Sequence, residues 1–421
     1  MAVVLARAKD RNRAPDPLFI LAGGPGQSAT DTYFALQGGL ERVLRRRDVV
    51  LLDQRGTGKS NRMQCPVDDD RGDYSAAGTQ RLMRACLKQL PGDPALYTTS
   101  LAIDDLDAVR AALGYDTIDL YGGSYGTRVA LSYLKYHEAT TRAVIVDAVV
   151  PQDLALGPAI PVRSQAVLER VIAACGAQAA CQAAFPTLGA DFDAVRARLK
   201  RGPVEVPMRD PVDGKPITVR LSYAEMASAV RLLLYAPESQ ALLPLLLRQA
   251  AAGDWTPLAA EVALAVRQVN EQLALGMHNS VVCTEDAPFY QDDPTERAAI
   301  ARSYLGGIAD DAIGVMCKDW PRGPIKPGFK APVVSAKPVL LLSGELDPIT
   351  PPEYAVRAAA TLSNSRHIVA PGQGHTVLTR GCLPRLVAEF LDSADPKALD
   401  ARCVDTLKAA PFFVRFTGPE P

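Results

Sequence analysis

The stretch Thr117-Ile118-Asp119-Leu120-Tyr121-Gly122-Gly123-Ser124-Tyr125-Gly126-Thr127-Arg128-Val129-Ala130 constrains the chain more than any other. A short apolar run enters Gly-Gly-Ser-Tyr-Gly, and apolar residues at helical spacing (Val129, Leu131, Leu134) follow. This predicts strand, sharp turn and helix, with Ser124 at the apex. Gly122 and Gly126 bracket the serine at G-x-S-x-G spacing. Such a turn is strained, and its flanking backbones pass too close for a Cβ. A glycine-rich turn with an incidental serine remains the bland alternative, so the rest of the chain must supply what a nucleophilic serine requires.

The flanking pattern alternates strands with helices. Strands are expected at 3–5, 17–21, 48–53, 117–121, 143–147, 338–342 and 366–369. Helices are expected from about 29 to Arg46, at 78–90, at 101–113 behind a Ser100 cap, and after Ser124. Near-continuous apolar strands between helices argue for a mostly parallel sheet covered on both faces, an α/β fold. The pattern changes after Val150-Pro151. Residues 161–176, 187–200, 223–235, 238–251, 258–277 and 294–306 read as amphipathic helices, with one hairpin from Val204 to Leu221 across Asp213-Gly214. Residues 321–332 read as a linker; a helix (352–362) and a final helix from about 384 to 391 follow in the resumed core pattern. The expected organisation is a core in two parts, 1–150 and 331–421, with a helical cap at 151–330.

Two phosphate-binding patterns fail on inspection. Gly58-Lys59-Ser60 resembles the end of a P-loop, but Asp53 stands where its first glycine is needed. Gly24-x-Gly26-x-x-Ala29 with Asp53 outlines a dinucleotide fingerprint, yet the acid lies further along than the usual ~20 residues. With a formal net charge of −1 and no dense basic cluster beyond Arg45-Arg46-Arg47, nothing points to nucleic acid. No apolar run approaches the ~20 residues that span a bilayer, and no metal or cofactor is implied. The eight cysteines fall as four successive neighbours, which fits disulfides Cys65–Cys86, Cys175–Cys181, Cys283–Cys317 and Cys382–Cys403 in an oxidising compartment, periplasmic or secreted; eight buried free thiols are the alternative. Met1 to Arg7 is too short for a secretory signal and reads as a strand, which points to a sequence that begins downstream of its natural start.

A serine hydroxyl needs an adjacent base, and that base a partner to fix its tautomer. Of His137, His278, His367 and His375, only His375 sits in a glycine-rich loop, Pro371-Gly372-Gln373-Gly374-His375, after the last strand. His137 is expected to pack or face away, His278 lies in the helical insert, and His367 begins a strand. Two acids end strands: Asp347 in Ser343-Gly-Glu-Leu-Asp347-Pro-Ile-Thr-Pro, and Asp147. Asp347 is preferred because the order Ser124, Asp347, His375 matches a known chain order for such a triad; Asp147 is read as supporting the sheet edge, and Glu345 as structural. Two N–H donors are required for an oxyanion. The Tyr125 amide is one, and the Gly23-Gly24-Pro25-Gly26 loop is expected to supply the other.

With these residues assembled, the chain resembles the α/β-hydrolase peptidases of the proline iminopeptidase and tripeptidyl aminopeptidase group. The matching motifs are Gly23-Gly24-Pro25-Gly26, Asp53-Gln-Arg55-Gly56-Thr-Gly58-Lys-Ser60, Gly122-Gly-Ser124-Tyr-Gly126, Gly344-Glu-Leu-Asp347-Pro-Ile-Thr-Pro and Gly374-His375. The region after about 330, with Cys382 and Cys403, looks like the tripeptidyl-aminopeptidase-type C-terminal part. The insert matches only through Val282-Cys283-Thr-Glu285-Asp286-Ala-Pro288 and Cys317-Lys-Asp-Trp320-Pro321. Ala22 stands where many proline iminopeptidases carry histidine, which leans toward the tripeptidyl branch. The resemblance implies Gly23 (with Gly24 as second choice) as the other oxyanion donor, and a 53–60 loop bracing the site through Arg55. It also implies a carboxylate for the substrate's free amine, Glu285 or Asp286. The expected activity is release of one to three residues from the amino end of peptides. An esterase or amidase for small molecules and a non-catalytic binding protein are the competing readings. The sequence assigns no oligomeric state.

Overall fold

In a computed structural model describing residues 1–65, 76–306 and 308–419, seven strands form one sheet and two form a separate hairpin. The strands are β1 (Val3–Ala6), β2 (Leu18–Leu21), β3 (Val49–Leu52), β4 (Ile118–Gly123), β5 (Thr141–Asp147), β6 (Val204–Arg209), β7 (Pro216–Leu221), β8 (Val339–Gly344) and β9 (Ser365–Ala370). The sheet order is β1-β3-β2-β4-β5-β8-β9. Only the β1–β3 pair is antiparallel; the other sheet neighbours run parallel. β2, β3 and β8 are buried at every position, as a sheet covered on both faces requires. One covering layer packs Leu36, Leu40, Leu386 and Phe390 against Leu18, Ile20 and Leu340. The opposite layer packs Ile103, Leu106, Val129 and Leu134 against Phe19, Leu120 and Leu341.

Between β5 and β8 the chain is helical apart from the β6–β7 hairpin. This segment has its own core, in which Leu168, Val195, Val230, Leu247 and Tyr304 are buried. Phe412 of the C-terminal tail joins that core, and the Phe413 amide donates to the Ala241 carbonyl at 3.0 Å. The final segment thus returns from the sheet to close over the helices.

Several local expectations are corrected. The helix expected at 258–277 is two helices, Thr256–Gln272 and Leu275–Glu285. The break serves tertiary partners: the Ala274 amide donates to the Gly26 carbonyl at 2.9 Å and the Gly276 amide to the Met63 carbonyl at 2.7 Å. The helix at Thr99–Ala112 is capped by Thr98, not Ser100, whose hydroxyl instead accepts from the Lys326 amide. The first core helix stops at Leu40, and a short 3-10 turn covers Val43–Arg45. Arg47, the last residue of the basic triplet, does not face solvent. It is buried, with its Nε 2.7 Å from Asp16 and its Nη2 on the Leu391 carbonyl. The four disulfides Cys65–Cys86, Cys175–Cys181, Cys283–Cys317 and Cys382–Cys403 are formed, and there is no free cysteine among the described residues. No helix among the described residues is long and apolar enough to cross a membrane.

Candidate active site

The strained turn lies at the C-terminal end of β4. Ser124 has φ 55° and ψ −123°, a conformation rare for a residue with a side chain. The surroundings hold it there: the Ser124 amide donates to the Asp147 carbonyl at 2.9 Å, and Thr127 donates back to the Ser124 carbonyl through N and Oγ1. The bracketing glycines are required by contact. A Cβ on Gly122 would collide with the Gly126 carbonyl, and one on Gly126 with the Leu21 carbonyl. Tyr125 opens the helix Tyr125–Tyr136. Its amide is one of the N–H groups a helix leaves without an internal partner, at the positive end of the helix dipole.

The early glycine loop lies against this turn. A Cβ on Gly23 would stand 3.2 Å from both the Gly123 carbonyl oxygen and Ser124 Cβ, a tighter contact than side chains ordinarily make, so glycine eases this close approach. Gly24 and Gly26 take φ 104° and 108°, in the region glycine alone occupies readily.

Asp347 and His375 meet across two neighbouring loops. His375 Nδ1 donates to Asp347 Oδ2 at 2.8 Å, with both side chains buried. Asp347 Oδ1 accepts from the Ile349 and Thr350 amides at 2.8 and 2.9 Å, and Oδ2 also accepts from Thr350 Oγ1 at 2.8 Å. The carboxylate is therefore held before it engages the ring. The His375 amide donates to the Tyr235 carbonyl at 2.6 Å, and the Tyr235 ring stands edge-on to the imidazole at a centroid distance of 4.7 Å. Gly374 must be glycine because a Cβ would run into that same carbonyl. Ser124 Oγ makes no hydrogen bond to His375 in this structure; such bonds often tighten only when substrate arrives.

Asp147, the other candidate acid, makes no hydrogen bond to the histidine ring. Its carboxylate accepts from the Val377 amide at 2.9 Å, the Leu378 amide at 2.8 Å and Tyr121 Oη at 3.0 Å. It fastens the loop just after His375. Burial pushes it up to about 6, against those hydrogen bonds. Glu345 accepts from the Gly372 amide at 2.8 Å and pairs with Arg170 of the helical segment.

Glu285 and Asp286, the acids expected to bind the substrate's amine, both lie buried on internal partners. Glu285 is 0% exposed, and its two oxygens accept from the Thr99 amide at 2.6 Å and Thr99 Oγ1 at 2.8 Å. Burial pushes it up to about 7 despite nearby Arg128. Asp286, also buried, holds Arg128 at 2.9 Å and the Leu156 amide at 2.8 Å. Lys330 reaches it at 3.4 Å, and burial brings that amine down to about 8. Both acids are occupied inside the protein. Glu285 nonetheless touches the site through a relay: Thr99 Oγ1 lies 2.7 Å from Tyr125 Oη, which also receives Gln54 Nε2 at 3.1 Å. Gln54 is thus the contact of the 53–60 loop with the serine turn. Arg55 instead pairs with Asp105 (Nη2 to Oδ1 2.7 Å) and the Leu96 carbonyl. Asp53 accepts from Thr30 and the Lys59 amide, and its carboxylate fills the space a Gly58 Cβ would need.

His137 packs on Tyr133 and bonds Asp104, and His367 bonds Ser343. His278 is different: its Nδ1 lies 3.0 Å from the Pro25 carbonyl, on the glycine loop. Sequence reasoning left it in the insert, and it passed over Tyr235 altogether. Neither has a local signal, because each reaches the site only through the packing of the helical segment.

A mostly parallel sheet with a strained serine turn after its central strand, and an acid–histidine pair after the following strands, defines the α/β-hydrolase class. Comparison with known proteins agrees. Residues 16–171 match the family described as alpha/beta hydrolase fold, and residues 308–403 match that described as TAP-like protein. The serine protease Hip1 of Mycobacterium tuberculosis H37Rv is 25% identical over 430 aligned positions, covering 92% of this chain and 80% of that protein. A proline iminopeptidase of Heyndrickxia coagulans is 29% identical over 136 positions, 32% of this chain and 36% of its own length. Among solved structures, proline iminopeptidase of Mycobacterium smegmatis superposes over 93% of this chain and 94% of its own with a TM-score of 0.41 and 17% identity. The chain is an α/β hydrolase, related to the serine-peptidase group of that fold.

Proposed function

We propose that the chain is a serine peptidase acting near the free amino end of peptides through Ser124, His375 and Asp347. The observations that carry this reading are the strained Ser124 turn with the Gly23 backbone packed against it, and the buried Asp347–His375 pair at 2.8 Å. Ser124 Oγ attacks the scissile carbonyl and its proton passes to His375 Nε2. Asp347 keeps the other ring proton on Nδ1 and stabilises the imidazolium. The Tyr125 and Gly23 amides receive the oxyanion. His375 then protonates the leaving amine, and water releases the acyl group by the same route.

The preference for an amino end rests on the resemblance to proline iminopeptidases and TAP-like proteins, not on Glu285 or Asp286. The four disulfides support a periplasmic or secreted location. A chromogenic panel tests the function: Pro-, Ala- and tripeptidyl anilides with free and acetylated amino ends, beside p-nitrophenyl esters. Turnover of free-amine anilides that vanishes on acetylation is expected. Equal turnover of acetylated substrates would refute the amino-end preference, and turnover of esters alone would favour an esterase. Ser124→Ala is expected to bring every activity to background; retained activity refutes the mechanism.

A further inference from the structure

We propose that His278 is a positioning residue that holds the oxyanion loop in its working shape from the helical segment. The inference rests on the triad and oxyanion reading above. The loop Gly23-Gly24-Pro25-Gly26 has almost no side chain of its own to pack, and two of its glycines lie at positive φ. Its shape is therefore set by what bears on it.

Three groups do so from the junction of the two helices and the turn that follows it. The Ala274 amide donates to the Gly26 carbonyl at 2.9 Å. Leu273 Cδ1 lies 3.0 Å from where a Gly24 Cβ would be. His278, one turn on and bonded through its amide to the Ala274 carbonyl at 2.9 Å, places Nδ1 3.0 Å from the Pro25 carbonyl. A carbonyl oxygen only accepts, so Nδ1 carries the proton in this contact. Burial lowers the ring's affinity for a second proton, which keeps it neutral.

Two successive peptide planes, those carrying the Pro25 and Gly26 carbonyls, are thus fixed by the helix that also bears Glu285. The Gln27 amide closes the turn onto the Gly23 carbonyl at 3.3 Å. Gly23 is the residue whose amide must point at the oxyanion, and its aim is transmitted through those planes. Geometric error there acts on the transition state more than on the bound substrate.

The test compares His278→Ala and His278→Gln with wild type in the full chain, on the best anilide or ester. Turnover is normalised to sites titrated with a fluorophosphonate, so a partly unfolded preparation does not imitate a loss. His278→Ala is expected to lower kcat roughly 10- to 100-fold with KM holding within about threefold. His278→Gln keeps an N–H that can reach the Pro25 carbonyl and should recover most of the loss. A kcat for His278→Ala within about twofold of wild type, or a raised KM at constant kcat, would overturn the proposal. So would a Gln variant no better than Ala. Failure of the wild-type protein to be labelled at Ser124 would sink the catalytic reading itself; normal labelling with turnover indifferent to His278 sinks only the strut.

Discussion

At Asp347 the hydrogen-bond pattern makes one substitution unusually informative. Oδ1 is held by two backbone amides, while Oδ2 takes the Thr350 hydroxyl and the His375 ring. Asn at this position would keep the Oδ1 contacts and turn its NH2 toward Nδ1. That arrangement moves the ring proton to Nε2, where it can no longer accept from Ser124. Asp347→Asn should therefore fold normally and lose on the order of ten-thousand-fold in kcat; a loss of only a few-fold would show that Asp347 is not the orienting acid. Glu285 makes a second prediction at this scale. Its carboxyl, ordinarily at 4.5, stands at about 7 in the folded chain. The native state thus keeps a proton that the unfolded chain gives up between those values. Its contribution is fully present below pH 4.5 and is lost as pH rises through 7, a fall of roughly 3 kcal/mol. Denaturant midpoints at pH 4.5 and 7.5 should converge in Glu285→Gln relative to wild type; identical pH slopes in the two proteins would refute this. Ser124, Asp347 and His375 stand out in the sequence as candidates because each sits in a short run of turn residues that a strained or exposed loop requires. The burial of Glu285 and Asp286 was not legible, because burial is a property of the packed chain, and an acid in a motif looks the same whether it faces solvent or Arg128.

Elements were legible to the extent that they answer to local pattern. The apolar runs of β2, β3 and β8 are buried strands as their composition demands. The divided helix at Gln272 and Leu275 was not legible, since its periodicity continues across the break. What stops it is the glycine loop and the Met63 carbonyl, which claim the amides of Ala274 and Gly276. Arg47 was missed for the same reason: a basic triplet at a helix end gives no sign that Asp16 waits across the fold. The second of these helices, Leu275–Glu285, is tied to Ile308–Cys317 by Cys283–Cys317, which closes 34 residues, whereas Cys175–Cys181 closes 6. Chain entropy then ranks them, with about 4 kcal/mol for the longer loop and about 2 kcal/mol for the shorter. Replacing each pair by serines and comparing denaturant midpoints should show the larger loss for Cys283–Cys317; the reverse order would refute the ranking.

At the scale of the molecule, the helical segment touches every loop proposed to do chemistry. Its Tyr235 carbonyl takes the His375 amide, Gln240 Nε2 lies 3.4 Å from the Leu346 carbonyl, and Arg170 pairs with Glu345. Its Ala274 and His278 grip the glycine loop, and Glu285 reaches the serine turn through Thr99. The C-terminal tail buries Phe412 in the segment's own core. A lid that merely rested on the sheet would open and melt on its own, as weakly coupled units do. Here the buried acids Glu285 and Asp286 bond to Thr99 and Arg128 of the sheet-covering helices, so separating the two parts would strand charged groups without partners. The chain should therefore unfold in one calorimetric transition, despite a length at which separate steps are common. Activity should be lost in that same transition and not before it. Two resolved peaks, or loss of turnover well below a peak that retains the sheet, would show that the helical segment moves as an independent lid and that the site is assembled only on closure.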